Sequence, residues 1–395
     1  MQKSTEIVSS REKKTIVIFS ANYLPNIGGI EQFTHNLSDT LELSGFHTII
    51  VTNNVFNLKQ HECFDSGVEI FRLPCFPLIN GRLPLPKKDK QFKQIMRRLR
   101  ELTVDYILIN TRFYPHTFLG IELAKFHNII PVLIDHGSAY LTFGNRFLDK
   151  AVVLYEKAIT ALLKRNRIDF YGISKASQKW LDNFHISSCG VINNSIDADL
   201  YYKNASSRNF RSELYLSNET FLVVFTGRLI PEKGIINILN AARVLKSKNI
   251  NAVFAIAGDG PLKKSIQENN PGNIYLLGKL SSEDISSLLI QGDAFCLPTR
   301  SEGFSTSLLE AAACYTTPII TNVGGVAELI PSEDFGIVLA DNPTGEEISD
   351  AILFLIENEK QNHQMGLNIG SRVRKHFSWQ QTATLVISAC KKANS

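Results

Sequence analysis

Asp293-Ala294-Phe295-Cys296-Leu297-Pro298 leads into Glu302-Gly303-Phe304, then Leu308-Leu309-Glu310-Ala311-Ala312-Ala313, then Pro318-Ile319-Ile320-Thr321 and Gly324-Gly325. The first segment is a short apolar run that stops at a proline, the pattern of a buried strand. The apolar residues on either side of Glu310 predict a helix entered by the loop at Glu302. The third segment is a second buried strand closed by a glycine turn. Strand, loop, helix, strand, loop is a βαβ unit, and open α/β sheets bind ligands at the carboxyl ends of their strands. Glu302 and Glu310 stand eight positions apart. If all of those steps were helical they would rise about 12 Å, with Glu310 about two turns in. The N–H groups of that helix start would face a ligand. Two glutamates at this spacing also describe an ordinary polar helix face, and it is the flanking strands that favour a site.

The same alternation runs outward through the chain. Strands are predicted at Thr15 to Ser20, Thr48 to Thr52, Val104 to Asn110, Ile130 to Asp135, Phe170 to Ile173 and Val191-Ile192. Helices follow at about Ile30 to Leu43 and Lys175 to Phe184. The pattern restarts at Phe221 to Thr226, continues through a helix at Ile235 to Lys246, and returns to strands at Ala252 to Ala257 and Ile274 to Leu277. Gly258-Asp259-Gly260-Pro261 reads as a strand-to-helix junction with proline at the first helical position. Strands alternating with helices in both halves predict α/β architecture with two Rossmann-like doubly wound domains. The boundary falls in the polar, weakly patterned stretch from Asn194 to Asn218. The expected spans are 1–195 for an N-terminal domain, 196–377 for a C-terminal domain, and 378–395 for a closing helix.

A chain of 395 residues is long for one hydrophobic core, which supports two domains. It is 44% hydrophobic and 20% charged, a globular balance. A net charge of +4 is too mild to argue for nucleic acid. Six scattered cysteines without a Cys-x-x-Cys pair read as reduced thiols. Met1 to Lys14 is polar and lacks the apolar core of a signal peptide, so the expected location is cytoplasmic. One local cluster stands out. Lys87, Lys88, Lys90, Lys93, Arg97, Arg98 and Arg100 crowd a segment in which Phe92, Ile95, Met96, Leu99 and Leu102 recur at helical spacing. Such a helix either lies on an anionic membrane surface, making the protein peripheral on the inner face, or docks on a sheet by its apolar stripe. Lys164-Arg165-Asn166-Arg167 is a second small basic cluster that leans toward the membrane reading.

Arg228 and Lys233 occupy a loop between a strand and a helix, shaped by Pro231 and Gly234. An arginine fork and a mobile lysine charge on one strand-end loop suit a pyrophosphate. Gly28-Gly29 precedes a helix with Glu31 near its start, and two glycines let a backbone approach phosphate closely. It is not a G-x-G-x-x-G fingerprint, which disfavours a dinucleotide cofactor. His136-Gly137 ends a buried strand and aims a ring either into structure or at a ligand. Asp197-Ala198-Asp199 has the spacing of a metal-binding pair, but sits at the junction between halves. It reads as turn or helix-capping aspartates, and hard-metal sites need further oxygen ligands.

With these residues in place, the chain resembles retaining glycosyltransferases of the GT-B fold, in the large family 4 group. The matching motifs are Gly28-Gly29-x-Glu31, His136-Gly137, Ser174-Lys175, Asn194-Ser195-Ile196-Asp197, Gly227-Arg228 with Lys233-Gly234, Gly258-x-Gly260-Pro261, Gly278, Glu302-Gly303-Phe304 to Glu310, and Phe377-Ser378-Trp379. The resemblance implies two domains facing a central cleft, with the last helix crossing back to the N-terminal domain. It implies that Arg228 and Lys233, next to Gly227, hold the diphosphate of a UDP- or GDP-sugar. Glu310 then bonds the ribose hydroxyls, and Glu302 with the backbone of Gly303, Phe304 and Ser305 contacts the donor sugar. His136 contacts that sugar from the N-terminal side. The Gly28-Gly29 loop closes over the diphosphate, and the backbone from Gly278 to Leu280 lies near the base. The eight-residue spacing from Glu302 to Glu310 is comparable to the span of a nucleotide-sugar from ribose to sugar.

The implied reaction moves a hexose-type sugar, with retention, to a hydroxyl of a glycan or lipid-linked acceptor in polysaccharide or glycolipid assembly. The sugar nucleotide is a substrate, and neither a cofactor nor a metal is expected, since the two cations can serve the phosphates. Two departures appear. The usual Asn-Gly-Val-Asp junction reads Asn194-Ser195-Ile196-Asp197, and Tyr315-Thr316-Thr317 stands where the family usually places a glycine before Pro318. Two rival readings are a GT-B-fold sugar-nucleotide epimerase and a non-catalytic partner protein that binds a sugar nucleotide. The first would need acid/base groups around the sugar C2, which the sequence does not display. The second would be signalled by loss of Arg228, Lys233 or Glu310, and all three are present.

Overall fold

The computed structural model describes residues 13–26, 28–79, 81–140 and 146–395. The chain divides into two compact units. The first comprises the chain up to Ile134, Glu156–Asp169 and Val386–Ser395, and the second comprises Asp135–Tyr155 and Phe170–Leu385. These units interleave in sequence, unlike the contiguous spans 1–195, 196–377 and 378–395. Met1 to Glu12 lie outside the described residues.

In the first unit the strands are β1 (Thr15–Ser20), β2 (His47–Asn53), β3 (His61–Cys63), β4 (Glu69–Leu73), β5 (Cys75–Leu78), β6 (Leu83–Pro86), β7 (Tyr106–Asn110) and β8 (Val132–Asp135). β1 is buried along its whole length. It pairs in parallel with β2 on one side (Ile18 opposite Ile50) and with β7 on the other (Ile18 opposite Leu108). A continuous apolar run without alternation is what a strand covered on both faces requires. Within this unit the strands run β8-β7-β1-β2-β4-β3, with β3 antiparallel at the edge. β5 and β6 form a separate antiparallel hairpin.

The basic segment is a helix, Lys90–Glu101, started by Asp89, whose side chain accepts from the Phe92 N–H. Phe92, Ile95, Met96 and Leu99 are all buried. Of the two expectations for this segment, docking by the apolar stripe is therefore the one realised. That stripe is not available to a bilayer, and only the basic side faces out.

The second unit holds the parallel pair β9 (Asp169–Gly172) and β10 (Gly190–Val191). Its main sheet has six parallel strands: β11 (Phe221–Thr226), β12 (Ala252–Ala257), β13 (Ile274–Gly278), β14 (Ala294–Leu297), β15 (Pro318–Thr321) and β16 (Ile337–Leu339). Their order is β13-β12-β11-β14-β15-β16. The chain thus builds outward from β11 in one direction, then returns to β11's other side and builds the opposite way. The reversal between β11 and β14 is a topological switch point, where strand-end loops diverge and leave a crevice.

Several local expectations are refined. The helix after β14 is Thr306–Ala313. Glu310 is therefore little more than one turn in, and the steps from Glu302 to Ser305 are loop. Pro261 is not the first helical residue, because the helix begins at Lys263 and Pro261-Leu262 form a turn. Asp197 caps the helix Ala198–Lys203 by accepting from the Leu200 N–H, and Asp199 pairs with Arg374 at 2.7 Å. Cys63, Cys75, Cys296, Cys314 and Cys390 carry free thiols. Among the described residues no helix is long and apolar enough to cross a membrane.

Candidate functional site

The loops after β11 and β14 flank the switch point, the first carrying Arg228 and Lys233 and the second Glu302. Lys233 ends a short 3-10 turn, Pro231–Lys233, after β11. Glu302 lies in the loop after β14, and the Lys233 ammonium donates to Glu302 Oε1. Both side chains are largely sheltered, at 20% and 13% exposure. Backbone bonds hold the two loops together. The Arg300 N–H and the Thr299 hydroxyl both donate to the Glu232 carbonyl, at 2.8 and 3.1 Å. Arg228 stands on the first loop and is exposed. A sheltered lysine and a solvent-facing arginine on one loop can converge on an incoming anion.

The Glu302 loop is fixed by close backbone approaches. Gly303 lies so near the His136 carbonyl oxygen that a Cβ there would collide with it. Gly324, with φ +58°, brings its α-carbon against the Glu302 carbonyl, leaving 2.5 Å for any Cβ. The Ser138 hydroxyl donates to that same Glu302 carbonyl. Phe304 turns inward and packs its ring on Phe377, 5.6 Å between centroids. Ser305 caps the next helix by accepting from the Leu308 N–H at 3.2 Å. The side chain of Phe304 is thus part of the core.

Glu310 sits half-buried in this helix, and burial pushes its carboxyl up to about 7. Burial lowers His136 to about 3, so its imidazole is neutral near pH 7 and can exchange hydrogen bonds without carrying charge. On the other side of β11, Leu229 N–H donates to the Asp259 carbonyl and Gly258 N–H to the Gly278 carbonyl, at 2.9 and 2.7 Å. These bonds join the strand ends at Gly227, Gly258 and Gly278 into one floor. Leu280 follows Gly278 by two residues and is half-buried.

The second unit thus pairs Lys233 with Glu302 and sets Gly303 against His136, while Gly227, Arg228, Gly278, Phe304, Ser305 and Glu310 lie on the neighbouring strand ends, loops and helix of the same unit. Gly28 and Gly29 belong to the first unit. There Gly28 caps the helix Gly29–Leu43, and the Glu31 carboxylate folds back over Gly28 and accepts from Asn26 at 2.9 Å. Burial raises the Glu31 carboxyl above its ordinary range. Sequence reasoning did not single out Ser138, Thr299 or Gly324 as site residues. Ser138 lies two residues beyond His136, and Gly324 opens the Gly-Gly pair after β15. Those positions were the available signals.

Arg228, Lys233 and Glu302 thus stand on loops that flank a switch point. Residues 206–371 match the family described as Glycosyl transferases group 1. The chain is 27% identical to an uncharacterized glycosyltransferase, MJ1069, of Methanocaldococcus jannaschii, over 94% of this chain and 96% of that one. It is 25% identical to a human subunit of phosphatidylinositol N-acetylglucosaminyltransferase, over 93% of this chain and 74% of that protein. Its fold matches that of Anabaena HepE, solved in complex with UDP-glucose, with a TM-score of 0.71 at 18% identity, covering 96% of this chain and 99% of that one. Residues 206–371 therefore resemble a group 1 glycosyl transferase domain, and the chain as a whole has the GT-B fold of that solved structure.

Proposed function

We propose that this enzyme moves a hexose-type sugar from a UDP- or GDP-sugar to a hydroxyl of a glycan or lipid-linked acceptor, with retention of configuration. The observation that carries the reading is the pairing of Lys233 and Glu302 across the switch point, with Arg228 on the same loop as Lys233. Departure of a nucleoside diphosphate builds negative charge on the leaving oxygens while the sugar becomes oxocarbenium-like. Preorganised cations at the leaving group are the main device for lowering that barrier. Arg228 and Lys233 supply them, with no metal required for this role.

Glu302, released from Lys233 by the diphosphate, faces the donor sugar and orients it. Neutral His136 bonds the sugar without competing for phosphate. Glu310 accepts from the ribose hydroxyls. The acceptor attacks the face that the leaving group vacates, and no covalent nucleophile is assigned. The human relative is named for transfer of N-acetylglucosamine to phosphatidylinositol, which supports a lipid-linked acceptor here. The UDP-glucose of the Anabaena protein supports a uridine donor.

The test is incubation with a panel of UDP- and GDP-sugars, with and without a membrane lipid extract, followed by chromatography of the nucleotides and sugars. Acceptor-dependent release of nucleoside diphosphate is expected. A C2-epimerised sugar nucleotide would support the epimerase instead. Donor binding without release under any condition would support the non-catalytic partner.

A further inference from the structure

The hairpin β5–β6 exposes apolar side chains along β5 and at its turn. Phe76 stands opposite Leu85, and Leu78 opposite Leu83. Directly opposed residues of an antiparallel pair point to the same side, so these four share one face. Phe76 is 52% exposed, Leu78 44% and Ile79, at the turn, 53%. Across from them Leu83 and Leu85 are half-buried, Pro84 is buried and Gly81 in the turn sits over Val55, so β6 is held to the first unit while Phe76, Pro77, Leu78 and Ile79 on β5 and at the turn face out. Large exposed aliphatic and aromatic side chains in a contiguous group mark an interaction surface.

The charge around this face is one-sided. From Cys75 to Arg100 there are eight basic residues, Arg82, Lys87, Lys88, Lys90, Lys93, Arg97, Arg98 and Arg100, against a single acid, Asp89; Arg97 pairs with Glu101 and Arg100 with Glu122, and the cations at the hairpin end of the run face no acid but Asp89 within that stretch. Asp89 is committed to the helix start and to Lys87 at 3.6 Å. The Lys87 ammonium stands 6.0 Å from the Phe76 ring centroid, placing cation and apolar face side by side. Lys88, Lys90 and Lys93 are exposed, because their helix turns its apolar stripe inward.

We propose that the β5–β6 hairpin is a membrane-docking element that inserts Phe76, Leu78 and Ile79 into the interface of an anionic bilayer, while Lys87, Lys88 and the outward side of the following helix bind its headgroups. A lipid surface fits both halves of the patch. A shallow apolar tip is what an interfacial element buries, and a run of cations beside it is what anionic lipid attracts. The proposal concerns where the protein sits and does not rest on the donor or acceptor assigned above.

Flotation with vesicles of phosphatidylcholine alone, and with one-quarter phosphatidylglycerol, tests it in the absence of any sugar nucleotide. The parent is expected to float with the anionic vesicles and to be released by high salt. Phe76→Ser/Leu78→Ser/Ile79→Ser and Lys87→Glu/Lys88→Glu are each expected to lower the bound fraction at least tenfold while melting at the parent temperature. Phe76→Trp provides a readout that needs no loss of binding, since its emission should shift to the blue on anionic vesicles. An unmoved emission, or a triple-serine variant that floats like the parent, overturns the proposal. So does a dimer in light scattering that the triple-serine variant abolishes, which would assign the face to a second copy of the chain.

Discussion

The ammonium of Lys233 is bonded to the carboxylate of Glu302, so the cation assigned to the leaving group and the acid assigned to the sugar neutralise each other. In the proposed reaction an incoming diphosphate takes Lys233 from Glu302, and the exchange frees a carboxylate for the donor sugar. It also keeps an uncompensated lysine from standing in a sheltered pocket, where an unpaired charge is costly.

Glu302→Gln removes the resident anion without changing its shape. Turnover is expected to fall by about 100-fold or more, the scale of losing one preorganised electrostatic contact to the reacting group. The donor KM is expected to stay level or drop, because Lys233 no longer has to be detached. Steady-state kinetics across donor concentrations separate the two effects, and a raised KM with unchanged kcat would contradict the assigned role.

Gly303→Ala places a methyl group against the His136 carbonyl, and backbone cannot move aside as a flexible side chain would. A cost of about 1–3 kcal/mol is expected from such overpacking. Urea unfolding measures the loss, and transfer activity should fall further than stability because the displaced loop carries Glu302. An alanine variant as stable and active as the parent would show that the junction is loose.

The raised Glu310 carboxyl gives a pH dependence with a definite sign. A folded value of about 7, above the ordinary 4.5, means the folded chain holds a proton that the unfolded chain has released. Stability from this group therefore falls as pH climbs through that window. Ribose hydroxyls donate to the ionised form, so donor affinity should rise from about pH 6 to about pH 8 as the carboxyl ionises. Glu310→Gln should bind donor more weakly at the alkaline end and lose most of this dependence. Calorimetric titrations at several pH values would check both statements.

Arg112 and Glu156 form an enclosed pair in the first unit, 2.6 Å apart at 2% and 5% exposure, with Arg112 also donating to Thr160 at 2.8 Å. Glu156→Ala is expected to cost about 3–5 kcal/mol by removing the carboxylate that balances the guanidinium. Arg112→Met combined with Glu156→Leu should recover most of that loss, since a buried ion pair adds little over well-packed apolar groups. Denaturant melts of the single and double variants test this, and additive losses would contradict it.

The sheet strands of the second unit were legible because they are continuous apolar runs. Phe221–Thr226, Ala252–Ala257 and Pro318–Thr321 end where the sequence pattern ends. The loops that carry Arg228, Lys233 and Glu302 were legible through charge placed at strand ends. The hairpin Cys75–Pro86 was not, because its two prolines on β6 disguise a strand that needs few ladder bonds at an edge. Nor did the sequence show why Tyr315 tolerates a position usually given to glycine. It adopts φ +60°, and its ring lies against Gly370, with the Arg374 guanidinium 4.3 Å from the ring centroid and Tyr202 5.8 Å away. That compensation comes from residues more than fifty positions distant, which no local pattern reveals. Amphipathic spacing likewise could not tell a membrane face from a docked one at Lys90–Glu101, since both require the same stripe.

Calorimetric titration of UDP and GDP into the parent, Lys233→Ala and Glu302→Gln tests the diphosphate site most directly. One nucleotide should bind the parent, bind Lys233→Ala at least about tenfold more weakly, a loss of roughly 1.4 kcal/mol, and bind Glu302→Gln as tightly or more so. Equal affinity for all three proteins, or a Glu302→Gln variant that loses binding as Lys233→Ala does, would contradict the exchange of Lys233 from carboxylate to phosphate.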